Sequence, residues 1–142
     1  STLQKLATAR IITVFGCGGD RDNGKRPIMG RVAASYSDLA IVTSDNPRTE
    51  DPHDILRQIR EGILPLGLRE YGLDELTNVP DIKGFVMLEN RREAIRLAVR
   101  LAKPGDILLL AGKGHEDYQI IGQTKYHFDD REEAANAFRE RI

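Results

Sequence analysis

Three short segments of this 142-residue chain combine glycine or proline with charged side chains. They are Gly16-Cys17-Gly18-Gly19-Asp20-Arg21-Asp22-Asn23-Gly24-Lys25-Arg26, Ser44-Asp45-Asn46-Pro47-Arg48 and Gly112-Lys113-Gly114-His115-Glu116. In the first, Gly19 to Lys25 almost spells a phosphate-binding loop. Arg26, however, stands where Ser or Thr would hold magnesium, and Asp20 and Asp22 would repel phosphate. The dinucleotide fingerprint fails too, because Arg21 occupies the place of its last glycine. Arg21, Lys25 and Arg26 still put three cations at a helix start, where free N–H groups already favour an anion. Cations there add nothing to helix stability, so the anion of a ligand or partner is expected against them. In the second segment, Pro47 fixes φ and biases Asn46 away from the helical region. The stiff turn can hold Asp45 to accept from an ammonium and Arg48 to grip a carboxylate with its planar fork. In the third, two glycines let backbone approach a ligand closely, Glu116 supplies a carboxylate and His115 a titratable ring.

Arg21, Arg48, Asp45 and Glu116 together offer two cations and two anions. That set suits a zwitterion such as an amino-acid head group. Other chemistries are less well served. A nucleophile–base pair of Cys17 and His115 has no orienting partner, and a small buried thiol is the expected state of Cys17. His53, His115 and His127 are scattered without paired ligand spacing, so no metal site is expected. His53, in the first turn of a helix, and His127, in a hairpin, are expected at the surface.

The composition admits one domain with a real core: 40 % of residues are apolar, 30 % charged, and the formal net charge is −1. This balance gives no long-range attraction to nucleic acid or to an anionic membrane. The single cysteine allows no internal disulfide. No apolar stretch approaches a membrane span and no signal-peptide pattern opens the chain, so a cytoplasmic location is expected. Ser1 to Arg10 reads as a helix fragment that runs into a strand without an initiating Met, the pattern of a domain taken from a longer polypeptide.

Alternating elements must position the three loops. Ile11 to Phe15 is a short β-branched run, read as a buried strand. Pro27 to Tyr36 spaces Ile28, Met29, Val32, Ala33 and Tyr36 as a helical apolar face. Leu39 to Thr43 is a second strand. Asp51 and Pro52 open a helix with Ile55, Leu56, Ile59 and Ile63 on one face. Gly62 to Gly84 reads as a loop with one helical turn near Leu66 to Tyr71. Phe85 to Leu88 is a third strand, and Asn90 with Glu93 caps a helix from Arg91 to Lys103 that Pro104 and Gly105 end. Ile107 to Ala111, the most apolar strand, is expected at the centre of the sheet. Tyr118 to Ile121 and Thr124 to Phe128 flank Gly122-Gln123 as a hairpin. Asp130 with Glu133 starts a last helix that buries Ala134, Ala137 and Phe138. The alternation predicts an α/β domain with a mostly parallel sheet and an antiparallel hairpin at its edge. The three loops all follow strands, and ligands gather beyond the carboxyl ends of strands in such sheets.

The motifs resemble a known family. Phe15 to Asp22 with Gly24-Lys25-Arg26-Pro27-Ile28-Met29-Gly30 is similar to the start of the third domain of the UDP-N-acetylmuramoyl-tripeptide synthetases, members of the Mur ligase family. Asp45-Asn46-Pro47-Arg48-Thr49 resembles their meso-diaminopimelate recognition motif, and Ala111 to Gln119 resembles their second C-terminal signature. Order and spacing agree over nearly the whole chain, and together the motifs are specific.

The resemblance implies a Rossmann-like domain, residues 1–142, of a bacterial cytoplasmic ligase. Its ATP and Mg²⁺ would be held by a central domain, and its UDP-sugar by a first domain, that this chain lacks. It implies a reaction in which a side-chain carboxylate of UDP-N-acetylmuramoyl-L-alanyl-D-glutamate is activated as an acyl phosphate and attacked by the diaminopimelate amine. The products are an amide, ADP and phosphate. By the same resemblance, Arg21 and Arg48 would contact a carboxylate of the amino acid, Asp45 and Asn46 would shape the pocket, and Pro47 would hold the turn. Gly112 would offer backbone, Glu116 would meet the distal ammonium, and Lys25, Arg26 and His115 would face the nucleotide side. No catalytic or metal-binding residue is assigned to the chain, and without the other two domains it is expected to lack ligase activity. The family's Asp-Tyr-Ala-His-Thr-Pro segment is missing upstream, and Gly62 to Gly84 is longer than the family's usual connection, which reads as a surface insertion. Two alternatives are the related folylpolyglutamate synthetases, whose glutamate has no distal ammonium for Glu116, and a non-catalytic small-molecule-binding module.

Overall fold

A computed structural model of the chain describes residues 10–18, 24–47, 49–76, 82–111, 118–121 and 124–141. The expected helix fragment at Ser1 to Arg10 lies almost wholly outside these residues. The element order is β1 (Ile11–Phe15), α1 (Lys25–Tyr36), β2 (Leu39–Val42), α2 (Pro52–Ile63), β3 (Arg69–Glu70), β4 (Gly84–Met87), α3 (Arg91–Leu101), β5 (Ile107–Ala111), β6 (Tyr118–Ile121), β7 (Thr124–His127) and α4 (Asp130–Arg141). Five parallel strands form one sheet in the order β3-β4-β2-β1-β5. The expected hairpin is present as the antiparallel pair β6–β7, but it is a two-stranded ladder of its own and not the expected edge of the parallel sheet.

Continuous apolar runs become strands buried on both faces, because helices cover both sides of a parallel sheet. Val14, Ala40, Ile41, Val42 and Phe85 are all 0 % exposed. On one face, Ile12, Val14, Leu39, Ile41 and Val86 pack with Ala94, Ile95 and Ala98 of α3 and Ala137 of α4. On the other, Phe15, Ala40, Val42 and Phe85 pack with Ile55, Ile59 and Ile63 of α2 and Ala34 of α1. The result is three layers. The caps act as expected: Asp51 accepts the His53 N–H at 2.9 Å ahead of Pro52, and Asn90 accepts the Glu93 N–H at 3.0 Å.

Several expectations are corrected. The centre of the described sheet is β2, and the apolar β5 is at one end of the strand order. Its burial agrees with that place: Leu109 is 47 % exposed and no residue of β5 is fully buried, so an apolar run by itself does not fix rank in the sheet. The buried face of α1 is Arg26, Gly30 and Ala34, whereas Ile28, Met29, Val32 and Tyr36 are 62, 42, 49 and 78 % exposed. The reason is close packing against α2. A Cβ at Gly62 would lie on the Pro27 carbonyl, so the two helices meet through small residues rather than through the apolar stripe. Phe138 on α4 is likewise 43 % exposed, and the cap of α4 is Asp129, which accepts the Arg131 N–H at 2.8 Å.

The connection from Gly62 to Gly84 is not a surface insertion. Leu64–Leu66 and Leu73–Leu76 form 3₁₀ turns, and the expected helical turn at Leu66 to Tyr71 is replaced by β3, whose Arg69 and Glu70 pair with Gly84 and Phe85. Tyr71, Leu76 and Ile82 enter the core at 6, 2 and 6 % exposure. Leu76→Ala should therefore cost about 2–4 kcal/mol, as other large-to-small core changes do, measured as a lowered urea midpoint. A cost under about 0.5 kcal/mol, typical of surface positions, would contradict this placement.

Candidate functional site

The sheet ends flush. Phe15 pairs with Val42 on one side and Ala111 on the other, and Val42 pairs with Met87. Four carboxyl ends thus form one row, and the three polar segments leave it from β1, β2 and β5. Pairing continues one step beyond β2, where the Thr43 N–H donates to Phe15 O at 2.8 Å and the Leu88 N–H to Val42 O at 2.9 Å. Only glycine fits at position 16. A Cβ there would press on the Thr43 carbonyl and stand 3.0 Å from the Asp45 nitrogen. The first segment and the Asp45 turn are therefore in backbone contact.

The turn itself is well held. Asp45 and Asn46 are 5 and 2 % exposed, and Pro47 is buried. The Ser44 N–H and the Thr43 hydroxyl both donate to Glu89 O, at 3.2 and 3.1 Å, and the Glu50 N–H closes onto Pro47 O at 3.0 Å. Lys25, at the first position of α1, is exposed. Arg21, Arg48, Gly112, His115 and Glu116 lie outside the described residues.

Arg26 departs from the expectation that it faces a nucleotide or another anion from outside. It is 1 % exposed. Its fork grips Glu50 at 2.8 and 2.9 Å, and its two terminal nitrogens also reach Gly18 O and Gln58, each at 2.9 Å. The anion that a cation at a helix start demanded is a carboxylate of this chain. Of the two nucleotide-side candidates that are described, Lys25 is the accessible one.

The site also contains residues the sequence reading passed over. The β4–α3 connection, Leu88 to Asn90, leaves the same edge. With Ser44, Pro47, Pro52, His127 and Phe128 it borders a cleft of about 650 Å³ beside the Asp45 turn. Arg91, the first residue of α3, is 1 % exposed and forks onto Asp130 at 2.7 and 2.6 Å. The available signal was a cation in a first helical turn after a strand, the same oddity as Arg26. His53 and His127 are at the surface as expected, against Glu89 at 3.1 Å and Glu132 at 2.8 Å.

Cys17 is 7 % exposed, with its Sγ 3.7 Å from the Met29 sulfur. Burial pushes its thiol up to about 11; the nearby Arg26 charge opposes this, and Asp45 adds to it. It is the small buried thiol expected, protonated at neutral pH.

A flush parallel α/β edge, with helices on both faces of the sheet and three glycine- or proline-containing segments leaving it, defines a domain of the doubly wound class. The family described as "Mur ligase, glutamate ligase domain" matches residues 1–114, and the chain belongs to that family. It is 69 % identical to the UDP-N-acetylmuramoyl-L-alanyl-D-glutamate--2,6-diaminopimelate ligase of Geobacter metallireducens, over 98 % of this chain and 27 % of that protein. It is 55 % identical to the ligase of the same name from Synechocystis, over 90 % of this chain and 22 % of that protein. A solved structure of a ligase of that name superposes with a TM-score of 0.77 at 39 % identity, covering 93 % of this chain and 24 % of the other. The chain thus spans about a quarter of the length of these relatives.

The state of Cys17 is open to a direct check. At pH 8 its thiolate fraction is on the order of one in a thousand, so native protein should react with a disulfide reagent far more slowly than unfolded protein. Rapid stoichiometric labelling of folded protein would contradict this. The folded value, about 11, lies above the unfolded 9.0, so this thiol's contribution to stability is intact below pH 9 and is lost as pH rises toward 11.

Proposed function

We propose that the chain is the amino-acid-binding third domain of an ATP-dependent amide-forming ligase. The ligase adds meso-2,6-diaminopimelate to UDP-N-acetylmuramoyl-L-alanyl-D-glutamate in bacterial peptidoglycan synthesis, in the cytoplasm. The observation that carries the reading is the row of strand ends, Phe15, Val42 and Ala111. It brings the exits of the three motif segments together beside a buried Asp45-Asn46-Pro47. The similarity to proteins named for this ligase, across nearly all of the chain, supports the same reading.

In this reading Arg21 and Arg48 grip carboxylate, Asp45 and Asn46 shape the pocket, and Pro47 stiffens the turn. Gly112 presents backbone, and Glu116 receives the distal ammonium. His115 and Lys25 lie toward the nucleotide. ATP and Mg²⁺ belong with the other domains of the ligase and supply the activated carboxylate. What this domain contributes is a fixed position for the attacking amine, worth a large share of the rate when two reactants must meet. Selectivity follows from unpaired charge. Lysine lacks the second carboxylate, so a closed site would leave an arginine without its partner, a costlier loss than a missing methylene.

The test is amino-acid-dependent ATP turnover by the full-length ligase with the UDP-muramoyl dipeptide. Turnover is expected with meso-diaminopimelate and not with L-lysine or L-glutamate. Arg48→Ala should lower kcat/KM for diaminopimelate by about 10²-fold or more with the melting temperature nearly unchanged. Turnover with lysine or glutamate instead would overturn the substrate assignment, and unaltered kinetics in Arg48→Ala would overturn the role of that residue.

A further inference from the structure

Arg91 makes more contacts than a helix brace needs. Its Nε and Nη2 form the fork on Asp130, at 2.7 and 2.6 Å. Nη2 also donates to Ala111 O at 3.1 Å, and Nη1 points at Ser44 O at 3.5 Å, the outer limit of a hydrogen bond. Ala111 is the residue before Gly112. Ser44 is the residue before Asp45. One guanidinium plane therefore touches the last carbonyl before each of two motif segments, which leave strands on opposite sides of β1. Only arginine has enough donors in one rigid plane for this.

The electrostatics point the same way. Arg91 opens α3, where the helix dipole disfavours a cation, and Asp130 opens α4, where it favours an anion. The side chains are 0 and 11 % exposed, so both charges are desolvated. A buried pair of this kind is weak evidence for net stability, since an apolar pair of similar volume often does as well. The carbonyl contacts are what an apolar pair could not supply.

We infer that Arg91, held by Asp130, is a positioning residue that sets the separation between Ser44 and Ala111, from which the second and third motif segments continue. It thereby acts on the amino-acid site through the two residues that its proposed contact groups follow in the chain. The inference rests on the amino-acid-binding reading above. Arg26 acts as its counterpart on the other side, joining Gly18 O to Glu50, whose N–H closes the Pro47 turn. Two buried guanidiniums thus fasten the first segment to the second and the second to the third.

Two variants of the full-length ligase test this. Arg91→Lys keeps a charge for Asp130 but cannot span both carbonyls. The double variant Arg91→Met with Asp130→Leu removes the pair without leaving a lone buried charge. Both should fold. In both, KM for the amino acid should rise tenfold or more while KM for ATP and for the UDP-dipeptide stay within twofold. Wild-type KM for the amino acid in a folded variant would overturn the inference, as would an equal rise in all three KM values. If the wild-type enzyme prefers another amino acid, the diaminopimelate reading fails, and the same comparison is made with that substrate. If it shows no amino-acid-dependent turnover, amide hydrogen exchange decides. Faster exchange confined to residues 43–47 and 110–117 of Arg91→Lys sustains the positioning role, and unchanged exchange there overturns it.

Discussion

The flush parallel register of β1, β2, β4 and β5 is the constraint on which the rest depends. Phe15, Val42, Met87 and Ala111 stand in one row, so every segment that leaves the sheet's carboxyl edge starts at the same height. Adjacent strands are about 4.8 Å apart, so segments leaving β2 and β5 on either side of β1 start about 10 Å apart. A shift of one residue in any pairing would turn each side chain to the other face and carry its segment out of the row. Burial on both faces of β1, β2 and β4 opposes such a shift.

A flush edge creates a problem of its own. Beyond the last ladder bond, carbonyls at Gly18, Ser44, Glu89 and Ala111 have no ladder partner, and a carbonyl left unmet where water is partly excluded is costly. The chain meets the need with side chains. Thr43 serves Glu89, Arg26 serves Gly18, and Arg91 serves Ala111. Each arginine carries its charge into the interior with a carboxylate of its own, Glu50 or Asp130. Removing one partner of such a pair typically costs about 3–5 kcal/mol, because the other is left buried and alone. The edge is consequently a rigid frame before any ligand arrives.

Much of this was legible in the sequence, for identifiable reasons. Short apolar runs marked β1, β2 and β4, the first closed by glycine, and Asp51-Pro52 and Asn90 with Glu93 marked two helix starts, because these signals are local. What failed was non-local. The apolar stripe of α1 predicts a core face, but helix contact through Gly30 and Gly62 decides which face is buried, and spacing within one helix does not contain that. Arg69 and Glu70 carry no strand pattern at all; their pairing is imposed by β4. The cations at the starts of α1 and α3 were a true signal of a nearby anion. For Arg26 the anion proved to be Glu50, twenty-four residues on, which no local rule would pair. The roles of Arg21, Arg48, Gly112, His115 and Glu116 rest on sequence motif and family similarity alone.

The proposed chemistry explains why a domain that delivers an amine should be built as a clamp of mixed charge. An amine beside a carboxylate is held as ammonium, since the neighbouring negative charge raises its pKa, and an ammonium cannot attack. A site for an amino-acid nucleophile must therefore hold the molecule by everything except the reacting nitrogen. Arginines suit the carboxylates, because a guanidinium never competes for the proton. An acidic group suits only the amine that does not react. In the proposed reading Glu116, on the segment after β5, meets the distal ammonium, and Arg48, on the turn after β2, meets a carboxylate. The reacting amine is then free to lose its proton on the way to the acyl group.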